Sequence, residues 1–131
     1  MSKPKQGGCF CGAVRYEIIG QSEVELFCFC TDCQKITGTD GYAGYMVKTN
    51  DFRLISGKPV VHEKTSKEGR IVKRHFCGKC GSNLWGVTEF GLTSVSAGTL
   101  DDSSVFAPTK KVFVHDAPGW ARVPSELEEL S

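Results

Sequence analysis

Seven cysteines in three tight groups constrain this chain more than any other feature: Cys9-x-Cys11, Cys28-x-Cys30-x-x-Cys33 and Cys77-x-x-Cys80. An odd number of thiols cannot all pair as disulfides. The polar opening MSKPKQGG also lacks the apolar run of an export signal, so metal ligation is the expected role. In FCGKCGS, Gly78 and Gly81 permit the tight turn of a zinc knuckle, whose backbone N–H groups point at thiolates. Residues two apart on a strand project to one side, so Cys9 and Cys11 can complete that knuckle. Zn–S bonds of about 2.3 Å place neighbouring sulfurs ~3.8 Å apart, a separation that either spacing can meet. Cys9, Cys11, Cys77 and Cys80 are therefore expected to form a closed, four-cysteine zinc site that pins the start of the chain to its middle.

The stretch CFCTDC then holds three thiols and no fourth. Three protein ligands with an open position is the pattern of catalytic zinc, because water or substrate must reach the metal. On this reading Cys28, Cys30 and Cys33 are both metal ligands and catalytic residues. Cys33 falls in the first turn of a helix that Thr31 and Gln34 are expected to start as a capping box, where the helix dipole favours a thiolate. The other readings are an empty site, or a second structural zinc completed by His62, His75, an acid or a partner's ligand. His62 and His115 carry no spacing argument, and His75 reads as a packed or surface histidine.

Glycines and turn dipeptides recur at short intervals, and the segments between them alternate with period two. In AVRYEII, Val14, Tyr16 and Ile18 share one face. RIVKRHF, GYAGYMV, LTSVSAG and KVFVH read as further strands. The expected fold is mainly β, with short helices at Thr31–Gly38 and in the C-terminal SELEEL, and with frayed ends before Gly7 and after Leu127. A chain of 131 residues, 40% hydrophobic, fits a single domain with its core from about residue 7 to 122, with Trp85 and Trp120 in the core or a pocket wall.

Lys and Arg number 16 against 15 Asp and Glu, so no broad basic field draws the chain to nucleic acid, and ionising thiols onto a metal lowers the net charge further. No apolar stretch approaches the ~20 residues of a membrane span. A cytoplasmic protein without nucleic-acid or membrane partners is expected. The cations Lys64, Lys67, Arg70, Lys73 and Arg74 read as a hairpin, from which Arg70 or Arg74 could hold an anionic substrate.

The segments GGCFCGAVRYE, CFCTDCQKITGT and HFCGKCGSNLW, in this order, resemble the glutathione-dependent formaldehyde-activating (Gfa) enzymes, whose domain is shared with centromere protein V. The likeness runs from about Gly7 to Trp120 and includes all seven cysteines. It implies an Mss4-like fold of twisted β-sheets. It also implies a structural zinc on Cys9, Cys11, Cys77 and Cys80, and a catalytic one on Cys28, Cys30 and Cys33. The implied activity is S-(hydroxymethyl)glutathione synthase, a carbon–sulfur lyase acting on glutathione and formaldehyde. Three positions depart from the family pattern: Phe29 where many members have His, Gln34 where they have Arg, and Lys111 where a His often precedes the apolar triplet. The alternative function is a zinc-stabilised module that binds a protein partner without catalysis.

Overall fold

The computed structural model describes residues 3–130, and alternation decides most of it. Strands β1 (Lys5–Gly8), β2 (Arg15–Ile18) and β5 (Phe52–Ser56) form a three-stranded antiparallel sheet in the order β1-β2-β5. The second sheet draws on β3 (Val24–Cys28), β4 (Tyr42–Lys48), β6 (Val60–Thr65), β7 (Ile71–Phe76), β8 (Asn83–Thr88), β9 (Leu92–Ser96), β10 (Lys110–Val112) and β11 (Glu128–Leu130). Its order is β11-β10-β3-β4-β9-β8-β7-β6, antiparallel except that β10 runs parallel to both of its neighbours. The single α-helix among the described residues, α1 (Thr31–Thr37), follows β3 directly.

The core lies between the two sheets. Val14, Tyr16 and Ile18 are all buried, as their alternation requires, and they meet Tyr45, Val47, Leu84, Trp85 and Val95 from the larger sheet. Tyr16 stacks on Phe52 at 5.3 Å and meets Trp85 edge-on at 5.9 Å. Its buried hydroxyl pairs with Thr99 Oγ1 at 2.7 Å, which satisfies that polar atom inside the core.

Gly7 backs onto that ring. A Cβ at this position would stand 2.3 Å from the Tyr16 hydroxyl and 2.4 Å from the Thr99 carbonyl oxygen, and the carbonyl cannot swing away. Gly7→Ala is therefore expected to cost about 3 kcal/mol of stability through overpacking, read as a lowered denaturation midpoint at unchanged m-value.

Both termini differ from expectation. Residues from Lys5 onward are paired rather than frayed: Gln6 and Gly7 lie opposite Glu17 and Tyr16, and Asp101 N donates to Gln6 O at 2.9 Å. The first two residues, and Ser131, lie outside the described part. SELEEL forms no helix; Glu128–Leu130 extends as an edge strand beside Lys110–Val112, with an ion pair between Lys110 and Glu128. Six residues cannot offset the cost of helix nucleation, whereas β10 presents an unpaired backbone edge. KVFVH is strand only as far as Val112, because Phe113 takes a left-handed φ of 54° and turns the chain into a short 3-10 segment. Trp85 is core as expected, but Trp120 is 67% exposed and belongs to neither core nor pocket wall.

Candidate functional site

Two groups of sulfurs converge. Cys9 and Cys11 follow β1 in a turn closed by Gly12 N to Cys9 O, and Cys77 and Cys80 follow β7 in a turn closed by Gly81 N to Cys77 O. Cys9 and Cys11 sulfurs are 3.6 Å apart, and those of Cys11 and Cys77 3.7 Å, close to the ~3.8 Å edge of a tetrahedral thiolate site. All four lie within 4.8 Å of one another. Backbone N–H groups of Val14 and Lys79 donate to Cys9 and Cys77 Sγ at 3.2 and 3.4 Å. Ser82 ties the two turns together: its hydroxyl accepts from Phe10 N at 2.9 Å and meets Cys80 Sγ at 3.2 Å, holding the Cys80 thiol down at about 5. The four cysteines fit a soft, tetrahedral metal ion.

The second group is Cys28, Cys30 and Cys33, also within 4.8 Å of one another, and no fourth His, Cys, Asp or Glu joins it among the described residues. Cys28 ends β3 and Cys33 sits in the first turn of α1. The capping residue is Cys30 rather than Thr31: its backbone is still extended, and its sulfur accepts from Cys33 N at 3.3 Å. Hydrogen bonds from the Cys28 and Cys33 thiols hold Cys30 at about 2, whereas the Cys30 thiolate pushes Cys28 up to about 12 and the two neighbours push Cys33 upward as well. Within the group, hydrogen bonding from its two neighbours favours the thiolate at Cys30, while the helix position favours one at Cys33. Three thiols this close cannot all ionise unaided, and a divalent cation removes that conflict, so this donor set also fits a metal.

The surroundings hold the triple motif in place. Gln34 does not complete a capping box; its Nε2 donates to Phe29 O at 3.0 Å and Asp116 O at 2.9 Å, clamping α1 against the loop that follows Phe113. Lys64, near the tip of the β6–β7 hairpin, reaches Asp32 of α1 at 2.6 Å, so the hairpin leans over the site. Of the two arginines expected to face a substrate, Arg74 does line a cavity together with Cys28 and Cys33. Arg70 instead places its guanidinium over the Phe90 ring at 5.9 Å. His75 stacks on Trp85 at 4.9 Å, while His62 lies exposed on β6 and His115 sits exposed in the 3-10 turn after Phe113.

Two adjoining cavities lie on this side of the molecule. One, of about 190 Å³, opens on Cys28 and Cys33; the other, of about 520 Å³, adjoins it through Ile36, Tyr42 and Asn83. Tyr42 stands between them, its hydroxyl donating to Ser94 O at 3.1 Å and kept protonated by burial, which raises it to about 12. Lys111 is buried, and its Nζ donates to Pro124 O at 2.8 Å; Arg122 N donates to Asp40 Oδ2 at 3.1 Å. These bonds hold the C-terminal segment as a wall of the wider cavity. Arg122, Tyr42 and the strand glycines Gly44 and Gly86 escaped the sequence reading. A glycine inside a strand was the available signal for the last two, since it marks close approach of another group.

No helix among the described residues is long and apolar enough to cross a membrane. Known proteins resemble this chain both in fold and in sequence. A solved structure of a Rhodobacter sphaeroides protein superposes with a TM-score of 0.59 at 19% identity, over 74% of this chain and 88% of that one, which supports the mainly β fold. A protein of Halomonas elongata described as a "Putative glutathione-dependent formaldehyde-activating enzyme" is 25% identical, over 95% of this chain and 83% of its own length. The family model described as glutathione-dependent formaldehyde-activating enzyme matches residues 4–116 and so takes in all seven cysteines. The chain belongs to the glutathione-dependent formaldehyde-activating enzyme family.

Proposed function

We propose that this protein is a zinc-dependent carbon–sulfur lyase and synthase acting on a thiol–aldehyde adduct, with glutathione as the thiol, and that Cys28, Cys30 and Cys33 hold the catalytic metal while Cys9, Cys11, Cys77 and Cys80 hold a structural one. The observation that carries this reading is the convergence of three sulfurs, two of which line a cavity, with no fourth protein donor among the described residues. Zinc, when bound there, supplies a Lewis acid that keeps a sulfur as thiolate at neutral pH. The family description and the name of the Halomonas relative both point to a thiol and an aldehyde as reactants.

The chain's own residues do the rest. The wider cavity offers a peptide thiol the polar groups of Thr37, Asp40, Asn83 and Ser96, with Arg122 as a cation for a carboxylate. Phe29, only 3% exposed, sits within the triple motif and adds an apolar wall to the wider cavity. In the lyase direction the adduct's C–S bond breaks, its electron pair stays on sulfur, and the adduct hydroxyl gives its proton to water as the C=O bond forms. In the synthase direction the thiolate attacks the carbonyl carbon and the oxygen takes the proton back.

The test is exchange between free glutathione and its formaldehyde adduct, followed by NMR at equilibrium because the uncatalysed reaction is itself fast. Magnetisation transfer is expected to accelerate in proportion to protein concentration. If wild-type protein leaves the rate at its background value with glutathione and with several smaller thiols, the enzyme reading fails and a zinc-stabilised binding module takes its place.

A further inference from the structure

The open face of the larger sheet is hollowed beyond what three metal-binding thiols require. Met46, Ser94, Gly86 and Arg74 lie side by side across β4, β9, β8 and β7, so one register row crosses four strands. Within this face Gly44 and Gly86 carry no side chain. A Cβ on Gly44 would crowd Ser94 Oγ and the Tyr42 ring at 3.0 Å, and one on Gly86 would crowd Val72 at 3.1 Å. Strand-interior glycines weaken a sheet, and they are tolerated where something must approach the backbone closely. On this face lies a trough of about 190 Å³ that begins at Cys28 and Cys33, is walled mainly by Leu26, Ile36, Met46, Val72 and Val112, and includes Arg74. Among the described residues Arg74 has no carboxylate within 4.0 Å.

Size and polarity decide what enters it. Glutathione carries peptide amides, two carboxylates and an ammonium group, and a small trough walled mainly by aliphatic side chains would leave most of those groups without partners, at about 1–3 kcal/mol each. The wider cavity, with Thr37, Asp40, Asn83, Ser96 and Arg122 in its lining, suits that molecule. The trough is left for the other reactant, yet a one-carbon aldehyde makes use of neither its volume nor its arginine.

Resting on the proposed reaction, we propose that the trough is the subsite for the aldehyde, and that the aldehyde of this enzyme bears a short aliphatic chain ending in a carboxylate bound by Arg74. The chemistry is otherwise unchanged. The thiolate forms a C–S bond to the aldehyde carbon, the C=O π pair moves to oxygen, and that oxygen takes up the proton released by the thiol, so neither oxidant nor reductant is needed.

The metal-loaded protein is assayed by NMR exchange with glutathione and three aldehydes: formaldehyde, butanal and 4-oxobutanoate, each rate divided by its own uncatalysed background. 4-Oxobutanoate is expected to exceed butanal, and butanal formaldehyde, by about tenfold at each step, from burial of methylene groups and one charge-assisted pair. Arg74→Met should abolish the advantage of 4-oxobutanoate over butanal, and Val72→Phe should narrow that of butanal over formaldehyde. Binding of the unreactive pentanoate, titrated by NMR without turnover, should weaken about tenfold in Arg74→Met. Acceleration of formaldehyde as great as that of the longer aldehydes, or pentanoate binding indifferent to Arg74→Met, overturns the subsite alone. Acceleration of none of the three overturns the lyase reading and the subsite with it.

Discussion

Cys77→Ser and Cys9→Ser are expected to leave the chain unfolded or insoluble. Both residues belong to the core, 2% and 7% exposed, and with Cys11 and Cys80 they join the N-terminal strand to the turn after β7. A structural zinc contributes about 10–16 kcal/mol of apparent binding energy to folding, as much as the ~5–15 kcal/mol of net stability that a domain possesses. Losing one of four thiolates removes most of that term, and the serine left behind is a buried hydroxyl facing three thiols that again repel one another when ionised. Circular dichroism and metal content of the purified variants provide the check. A Cys77→Ser protein that melts within a few degrees of wild type would falsify a structural role for the four-cysteine group.

Cys33→Ser and Cys30→Ser should behave in the opposite way, folding normally while exchange of the glutathione–formaldehyde adduct falls to its background rate. The triple motif sits on the open face of the sheet beside a cavity, so the two sheets retain their shared core without it. Serine is a good N-cap, so Cys30→Ser keeps an acceptor for Cys33 N and preserves α1. Metal content should drop from about two equivalents to about one, and in the wild type a chelator should strip the three-thiolate site first. Melting temperature, zinc content and exchange rate measured on the same preparations separate the two groups. If Cys33→Ser were as unstable as Cys77→Ser, both groups would be structural and the proposed reaction would lose its site.

The two cysteine groups were legible before any fold was known because ligand spacing is local. Residues two or three apart are held within reach of one ion by the covalent chain, and four thiols of seven make one tetrahedral set. Tyr16 and its neighbours were legible for a similar reason, since period two is a property of the extended backbone itself. The helix cap was misread by one residue. The acceptor is the Cys30 sulfur, and cysteine is absent from the usual capping preferences.

By itself, then, the sequence determined a mainly β chain, its family, and which thiols stand together. Tertiary structure decided whatever depends on neighbours remote along the chain. Glu128–Leu130 is a strand because an open edge of β10 lies beside it, and no local preference of SELEEL records that edge. Lys64 and Arg70 are occupied by Asp32 and Phe90, while Arg74 of that hairpin lines the cavity that Cys28 and Cys33 also line. Gly86 comes to line the trough because it is set between Ser94 and Arg74. Register sets those pairings, and register is fixed by burial of the opposite face of the sheet, a cooperative property of the folded chain that no single segment carries.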